Sequence, residues 1–138
     1  MIVSDVEIDD EFITVKGSMT IIEISKEMAR VGIPDAVVVD DDDKVLGAVD
    51  DYDIVSKCLA EEKDPMVLTA EEIMFSPPPI RIDTDLKAVH EMMQELEATM
   101  LPVTDTEKNL KGVVTLMDVL DGLGRERQSM SLLQRIFS

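Results

Sequence analysis

Cysteine and histidine are almost absent from this 138-residue chain, where Cys58 and His90 each stand alone. A lone cysteine excludes an intramolecular disulfide and a cysteine-rich zinc site, and one histidine leaves few metal clusters open. Cys58 reads as a small apolar side chain buried on a helix. His90, in "KAVHEMM", reads as a helix position rather than a catalytic base. No apolar setting marks any carboxylate pair as a tuned acid and base, so no enzymatic activity is expected. Positive charge is scarce too: 13 Lys and Arg against 30 Asp and Glu leave a net charge of −17, which repels polyanions and argues against nucleic-acid and anionic-membrane roles. No stretch approaches the length of a membrane span, and the opening "MIVSDVEIDDEF" has no basic segment leading into an apolar run. A soluble, cytoplasmic protein is the expectation.

What the chain has is 45% apolar residues, enough for a core, and an internal repeat. At an offset of about 65 residues, Met28 falls on Met93, Val38 on Val103, Gly47 on Gly112 and Asp53 on Asp118. Each half opens with an extended lead, Phe12 to Val15 and Pro77 to Ile82. A helical apolar stripe follows: Ile21, Ile24, Met28 and Val31, then Leu86, Val89, Met93 and Leu96. "TIIE" at Thr20 to Glu23 has the form of a capping box, in which a hydroxyl and a carboxylate satisfy free backbone donors at a helix start. Paired β-branched runs come next, 36–39 with 45–49 and 101–104 with 110–114, joined by polar turns that read as hairpins. A second helix then reaches roughly Ala60 in one half and Leu123 in the other, where Gly122 and Gly124 suit a helix stop. Each unit is thus strand, helix, strand, strand, helix, a mixed α/β (α+β) arrangement. Units of this size are marginal alone, so two should pack together through their sheets. The expected division is residues 4–62, 69–124 and a C-terminal helical tail, 125–138, with "EEKDPMVLTAEE" as a linker that also starts the second unit.

These two copies, carried by "VVVDDDDKVLGAVDDYDI" and "LPVTDTEKNLKGVVTLMDVL", resemble the tandem cystathionine-beta-synthase-type (CBS) domain pair, or Bateman module. The resemblance implies a regulatory module with two clefts for adenosine-containing ligands such as AMP, ATP, methylthioadenosine or S-adenosylmethionine, without an obligatory cofactor. By the same resemblance, Thr115 and Asp118 hold ribose hydroxyls in the better cleft, lined also by Ile80, Arg81, Met100 and Pro102. Asp50, Asp53, Val15 and Asp35 mark a weaker one. The chemistry is sound, because a carboxylate accepts from two vicinal hydroxyls while a nearby hydroxyl adjusts. The same Thr-x-x-Asp pattern also caps a helix, and the two roles coexist. In the first copy Asp50 replaces the hydroxyl residue, so Asp50, Asp51 and Asp53 would repel an anionic nucleotide. Basic residues that would hold phosphate are missing before either middle strand, where Pro34, Asp35, Thr99 and Met100 stand; Arg81 is the nearest cation by sequence. This favours ligands with little negative charge.

Two other readings stand beside the sensor. Counted as an EF-hand loop from Asp40, "DDDDKVLGAVDD" puts Lys44 at a ligand position and Val45 where the turn glycine belongs, so that motif fails; loose divalent-cation binding by the acidic clusters is what remains of it. The module could instead be a ligand-free assembly device, with the tail stripe Met130, Leu133, Ile136 and Phe137 as contact surface. A homodimer is expected in either case, closed by methionine-bearing helices at Met28, Met92 or Met93, and Met117. A separate regulated protein is implied and not named by the sequence.

Overall fold

The computed structural model describes residues 1–137. After a 3-10 turn at Val3–Asp5, strand β1 (Ile13–Lys16) leads into helix α1 (Ile21–Val31), then β2 (Asp35–Val39) and β3 (Val45–Asp50). Helix α2 (Asp51–Ile54) runs on as a π-helical turn, Val55–Leu59, and α3 (Ala70–Ile73) is a single short turn. The second unit has α4 (Leu86–Leu96), β4 (Met100–Thr104), β5 (Leu110–Thr115) and the long α5 (Leu116–Phe137). β1 lies parallel to β2, which is antiparallel to β3 in the register Ala36↔Val49. β4 and β5 pair antiparallel in the equivalent register, Leu101↔Val114.

Local sequence explains most of these boundaries. Thr20 caps α1 by accepting from the Glu23 amide and donating to the Glu23 carboxylate, and Gly32, at φ 73°, ends it in the left-handed conformation. Asp85 caps α4 by accepting from the Ala88 amide. Both predicted stripes face inward over their first three positions, Ile21, Ile24 and Met28 buried in the first core and Leu86, Val89 and Met93 in the second, while their last members, Val31 and Leu96, are exposed at the helix ends. Cys58 is buried in the first core as well.

The halves meet through their sheets. Val37, Val39 and Ala48 of the first unit pack with Met100 and Val113 of the second in one apolar cluster. Lys44 and Asn109, which occupy equivalent positions in the two copies, pair across this contact, the Lys44 ammonium donating to Asn109 Oδ1 at 2.6 Å. A residue meeting its own counterpart places a pseudo-two-fold axis between them.

The leads depart from the expected layout. Residues 1–6 pack on the second unit: Val3 and Val6 sit in its core, and Leu86 N donates to Met1 O at 2.9 Å. Reciprocally, Leu68, Ala70 and Ile73 sit in the first core, and Ile21 N donates to Leu68 O at 2.9 Å. The segment expected to open the second unit therefore completes the first, and each half closes the other. The glycines of the repeat make this exchange fit. A Cβ on Gly47 would lie 2.4 Å from Phe75 O, and one on Gly112 would lie 3.1 Å from Ile8 O, so both glycines admit the backbone of a crossing lead.

Two further expectations change. The lead at Pro77 to Ile82 is reduced to one parallel bridge, Ile80↔Val103, because three consecutive prolines bring no amide donors to a ladder. α5 does not stop at Gly122 and Gly124. Gly122 is buried against the crossing lead, where a Cβ would come within 2.7 Å of Val6 Cγ1 and 2.5 Å of Leu86 Cδ2; it serves close packing, and the helix runs on to Phe137.

Candidate functional site

Each repeat ends its last strand with a polar residue that caps the following helix. In the second unit Thr115 Oγ1 donates to Asp118 Oδ2 at 2.8 Å, while the Asp118 amide donates back to Thr115 Oγ1 at 3.2 Å. The Thr115 amide also donates to Asp118 Oδ2, at 3.2 Å. Hydroxyl and carboxylate are thus locked together, half-buried, at the mouth of a helix whose free amides favour negative charge. The pair forms the cap of the helix.

The first unit builds the same box from two acids. Asp53 N donates to Asp50 Oδ1 at 2.7 Å and Asp50 N to Asp53 Oδ2 at 3.0 Å. The Asp50 carboxyl is pushed up to about 6, by burial first and then by the neighbouring charges of Asp53 and Asp51. Asp35 stands opposite Asp50 in the β2–β3 register and is likewise raised, by burial and by Asp51. Asp53 is buried and its other oxygen is held by Lys57 Nζ at 3.1 Å. Lys57 also donates to Ile73 O at 3.1 Å and sits 5.9 Å above the Phe75 ring. That ammonium therefore closes the first helix start onto the crossing lead. At the repeat offset Lys57 corresponds to Gly122, so the second start has no equivalent cation.

Instead, the N-terminal lead brings an acid. Asp10 lies within hydrogen-bonding reach of Asp118, and its carboxyl is pushed up to about 6 by that contact first, then by burial and by the charges of Asp118 and Asp9. Its Oδ2 is buried and receives no bond from any donor among the described residues. Beside Asp118 opens a cleft of about 700 Å³ between the lead and α5, lined by Asp5, Glu7, Asp121, Arg125 and Gln128 among others.

The remaining sequence-predicted residues are scattered. Met100 faces Thr115 across the β4–β5 register, but its side chain is buried in the inter-sheet cluster. Val15 and Ile80 are buried in the first and second cores. Pro102 is buried too, and with Ile80 it borders a separate hollow of about 200 Å³. Arg81 is exposed and is not among the residues lining the cleft beside Asp118; Arg125 takes that place. Neither Asp10 nor Arg125 carried a signal that sequence reasoning could use, since each reaches the site only through the crossing lead or the unbroken helix. Among the described residues, no group of three His, Cys, Asp or Glu side chains is placed to hold a metal ion. Likewise, no described helix is long and apolar enough to cross a membrane.

Two pseudo-symmetric units, each with a capped helix start beside the other unit's lead, define a duplicated module. The chain belongs to the CBS domain family, whose profile matches residues 3–60 and 70–125. It is 30% identical over 112 residues to the uncharacterized protein MK0525 of Methanopyrus kandleri, covering 80% of this chain and 57% of that protein. It is 33% identical over 122 residues to the magnesium transporter MgtE of Thermus thermophilus, covering 84% of this chain and 26% of the transporter. The chain therefore spans little more than half of one relative and about a quarter of the other. In structure it is similar to the CBS domain pair of protein MJ0100 solved with 5′-methylthioadenosine and S-adenosyl-L-methionine, with a TM-score of 0.73 and 27% identity over 91% of this chain and 98% of that one.

Proposed function

We propose that this CBS pair is a regulatory sensor that holds an adenosine-containing small molecule at Thr115 and Asp118 and transmits its occupancy to a separate protein. The observation that carries the reading is the asymmetry of the two helix starts: Asp53 is closed by Lys57, whereas Asp118 is presented beside an open cleft. The ligands bound by the similar MJ0100 pair support the choice of an adenosyl compound. Asp50, Asp53 and Asp35 make the weaker site, since Asp50 and Asp53 are already engaged with each other's amides and Asp53 with Lys57. The module is a binding device without catalysis or obligatory cofactor, acting in the cytoplasm away from nucleic acid and membrane, as its charge suggests.

It works as a homodimer. Met28 and Met93 are buried in their own cores and Met92 is packed against the second, so they cannot form the contact. Exposed Tyr52 and Val55, with their counterparts Met117 and Leu120, supply matching apolar surface on both units instead.

A thermal-shift screen of adenosine, methylthioadenosine, S-adenosylmethionine, AMP, ADP and ATP tests the sensor, since a ligand that binds only the folded state raises Tm. At least one is expected to do so, with the shift lost in Asp118→Ala; no shift from any of them would favour the assembly reading. Light scattering on the same samples should show a dimer that strengthens as salt screens the −17 charge of each chain.

A further inference from the structure

Helix α5 keeps one register from end to end. Leu116, Val119, Leu123, Glu126, Met130, Leu133 and Phe137 follow one another at alternating spacings of three and four, which puts them on a single face. The first half of that seam is covered: Val119 is buried in the second core, Leu116 and Leu123 pack against it, and Glu126 is held by the Met1 ammonium at 3.4 Å. Beyond Glu126 the helix is bare. Every residue from Arg127 to Phe137 is exposed, and Met130, Leu133, Ile136 and Phe137 are each more than half so. A projecting stretch of that length is marginal by propensity alone, and such helices draw their stability from a covered apolar face.

Charge decides what can cover it. Residues 125–138 hold Arg125, Arg127 and Arg135 against Glu126 alone, leaving 29 of the 30 Asp and Glu but only 10 of the 13 Lys and Arg in residues 1–124. No Asp or Glu follows Glu126. Two copies of this chain therefore repel one another over most of their surface and least along this tail. The positions flanking the seam, Arg127, Ser129, Gln134 and Ile136, also lack the paired opposite charges that would select a different helix as partner.

We infer that the outer half of α5 pairs antiparallel with the same segment of a second copy, Met130 of each chain packing against Leu133 of the other. The antiparallel sense sets the two acidic bodies at opposite ends of the pair, whereas a parallel one would bring them side by side. From Glu126 to Phe137 the tail spans about 16 Å at 1.5 Å per residue, more than the roughly 8–10 Å over which salt leaves charges unscreened. Each tail offers the other the same surface, so the contact closes on a two-fold axis. Met117 lies on the opposite side of α5 from the seam, which separates this contact from the dimer face proposed above at Tyr52, Val55, Met117 and Leu120.

Sedimentation equilibrium on the full chain, on Leu133→Lys, Met130→Glu and Met117→Lys, and on an equal mixture of the first two variants tests the pairing. Leu133→Lys and Met130→Glu should each weaken association at least roughly tenfold, because each desolvates a charge at the seam. Their mixture should recover it, since the introduced ammonium then faces the introduced carboxylate while the remaining Met130 and Leu133 still pack. Met117→Lys should leave the tail contact in place. Association that survives Leu133→Lys undiminished, or a loss that the mixture fails to recover, would overturn the pairing. Association abolished by Met117→Lys alone would overturn it too while leaving the dimer face intact, and a wild type that stays monomeric would overturn both contacts.

Discussion

The helix starts at Asp50 and Thr115 are copies of one motif, yet the protein finishes them in opposite ways. In the first unit a cation on the next helical turn, Lys57, ties Asp53 to Ile73 O and the face of Phe75, so the motif is spent on holding the crossing lead. In the second, Gly122 replaces that cation, the crossing lead packs directly on the helix, and Asp118 faces another acid, Asp10. One duplicated sequence thus yields a structural lock in one unit and, in the other, the start proposed to present the ligand. The residue that separates them lies four positions beyond the motif.

The sharpest way to break the comparison is at the glycines that admit the leads. Gly47→Ala should lose about 2–3 kcal/mol, because its Cβ would overlap the backbone oxygen of Phe75, which cannot rotate away. Gly112→Ala should lose less, the obstacle at Ile8 O being 3.1 Å away rather than 2.4 Å, although its φ of +153° adds strain. Gly124→Ala, in open space on α5, should gain roughly 0.5–1 kcal/mol. Urea midpoints order the three, and equal midpoints for Gly47→Ala and Gly124→Ala would show that no lead is clamped at Phe75.

Removing the lock is the next largest effect. Lys57→Met should cost about 1–2 kcal/mol, leaving the buried Asp53 carboxylate and Ile73 O without their ammonium. It should leave adenosyl binding at Thr115 and Asp118 unchanged. A Lys57→Met protein of undiminished stability, measured by thermal unfolding, would mean that the two helix starts are equivalent after all.

The smallest effect is in pH, and it should appear in both units. Asp10 and Asp50 are each pushed up to about 6 in the folded protein, above their ordinary value of 3.8. Folding therefore takes up protons, so the stability these groups contribute is full below about pH 4 and is lost as pH rises through about 6. For Asp10 the facing charges are Asp118 and Asp9; for Asp50 they are Asp53 and Asp51. Asp10→Asn and Asp50→Asn cannot ionise, so each should gain Tm relative to the wild type between pH 4 and 7. A wild-type-minus-variant difference that stays flat over that range would show that neither carboxyl is raised.

Much of this was readable in the residues alone. The spacing of Ile21, Ile24 and Met28, and of Leu86, Val89 and Met93, marks two buried faces, and both are buried. Thr20 and Glu23 announce a cap that forms. Thr115 and Asp118 lie three residues apart, so one helical turn brings them together. The methionines were less legible, since a helical stripe shows that a face is buried but not what covers it. Met28 and Met93 face their own cores rather than a second chain. Gly122 misled for a related reason, because a glycine that ends a helix and one that lets another segment approach look alike in sequence.

Repetition, element order, caps and the inward helix faces were determined by the sequence itself, because each depends on residues within a turn or two of one another and on periodicities that local geometry imposes. The exchange of leads, the lock at Lys57 and the approach of Asp10 to Asp118 were decided only in the tertiary structure. Those contacts join segments from opposite ends of the chain, and their partners are chosen by which surfaces the two cores leave uncovered when they pack, a quantity that no local pattern encodes.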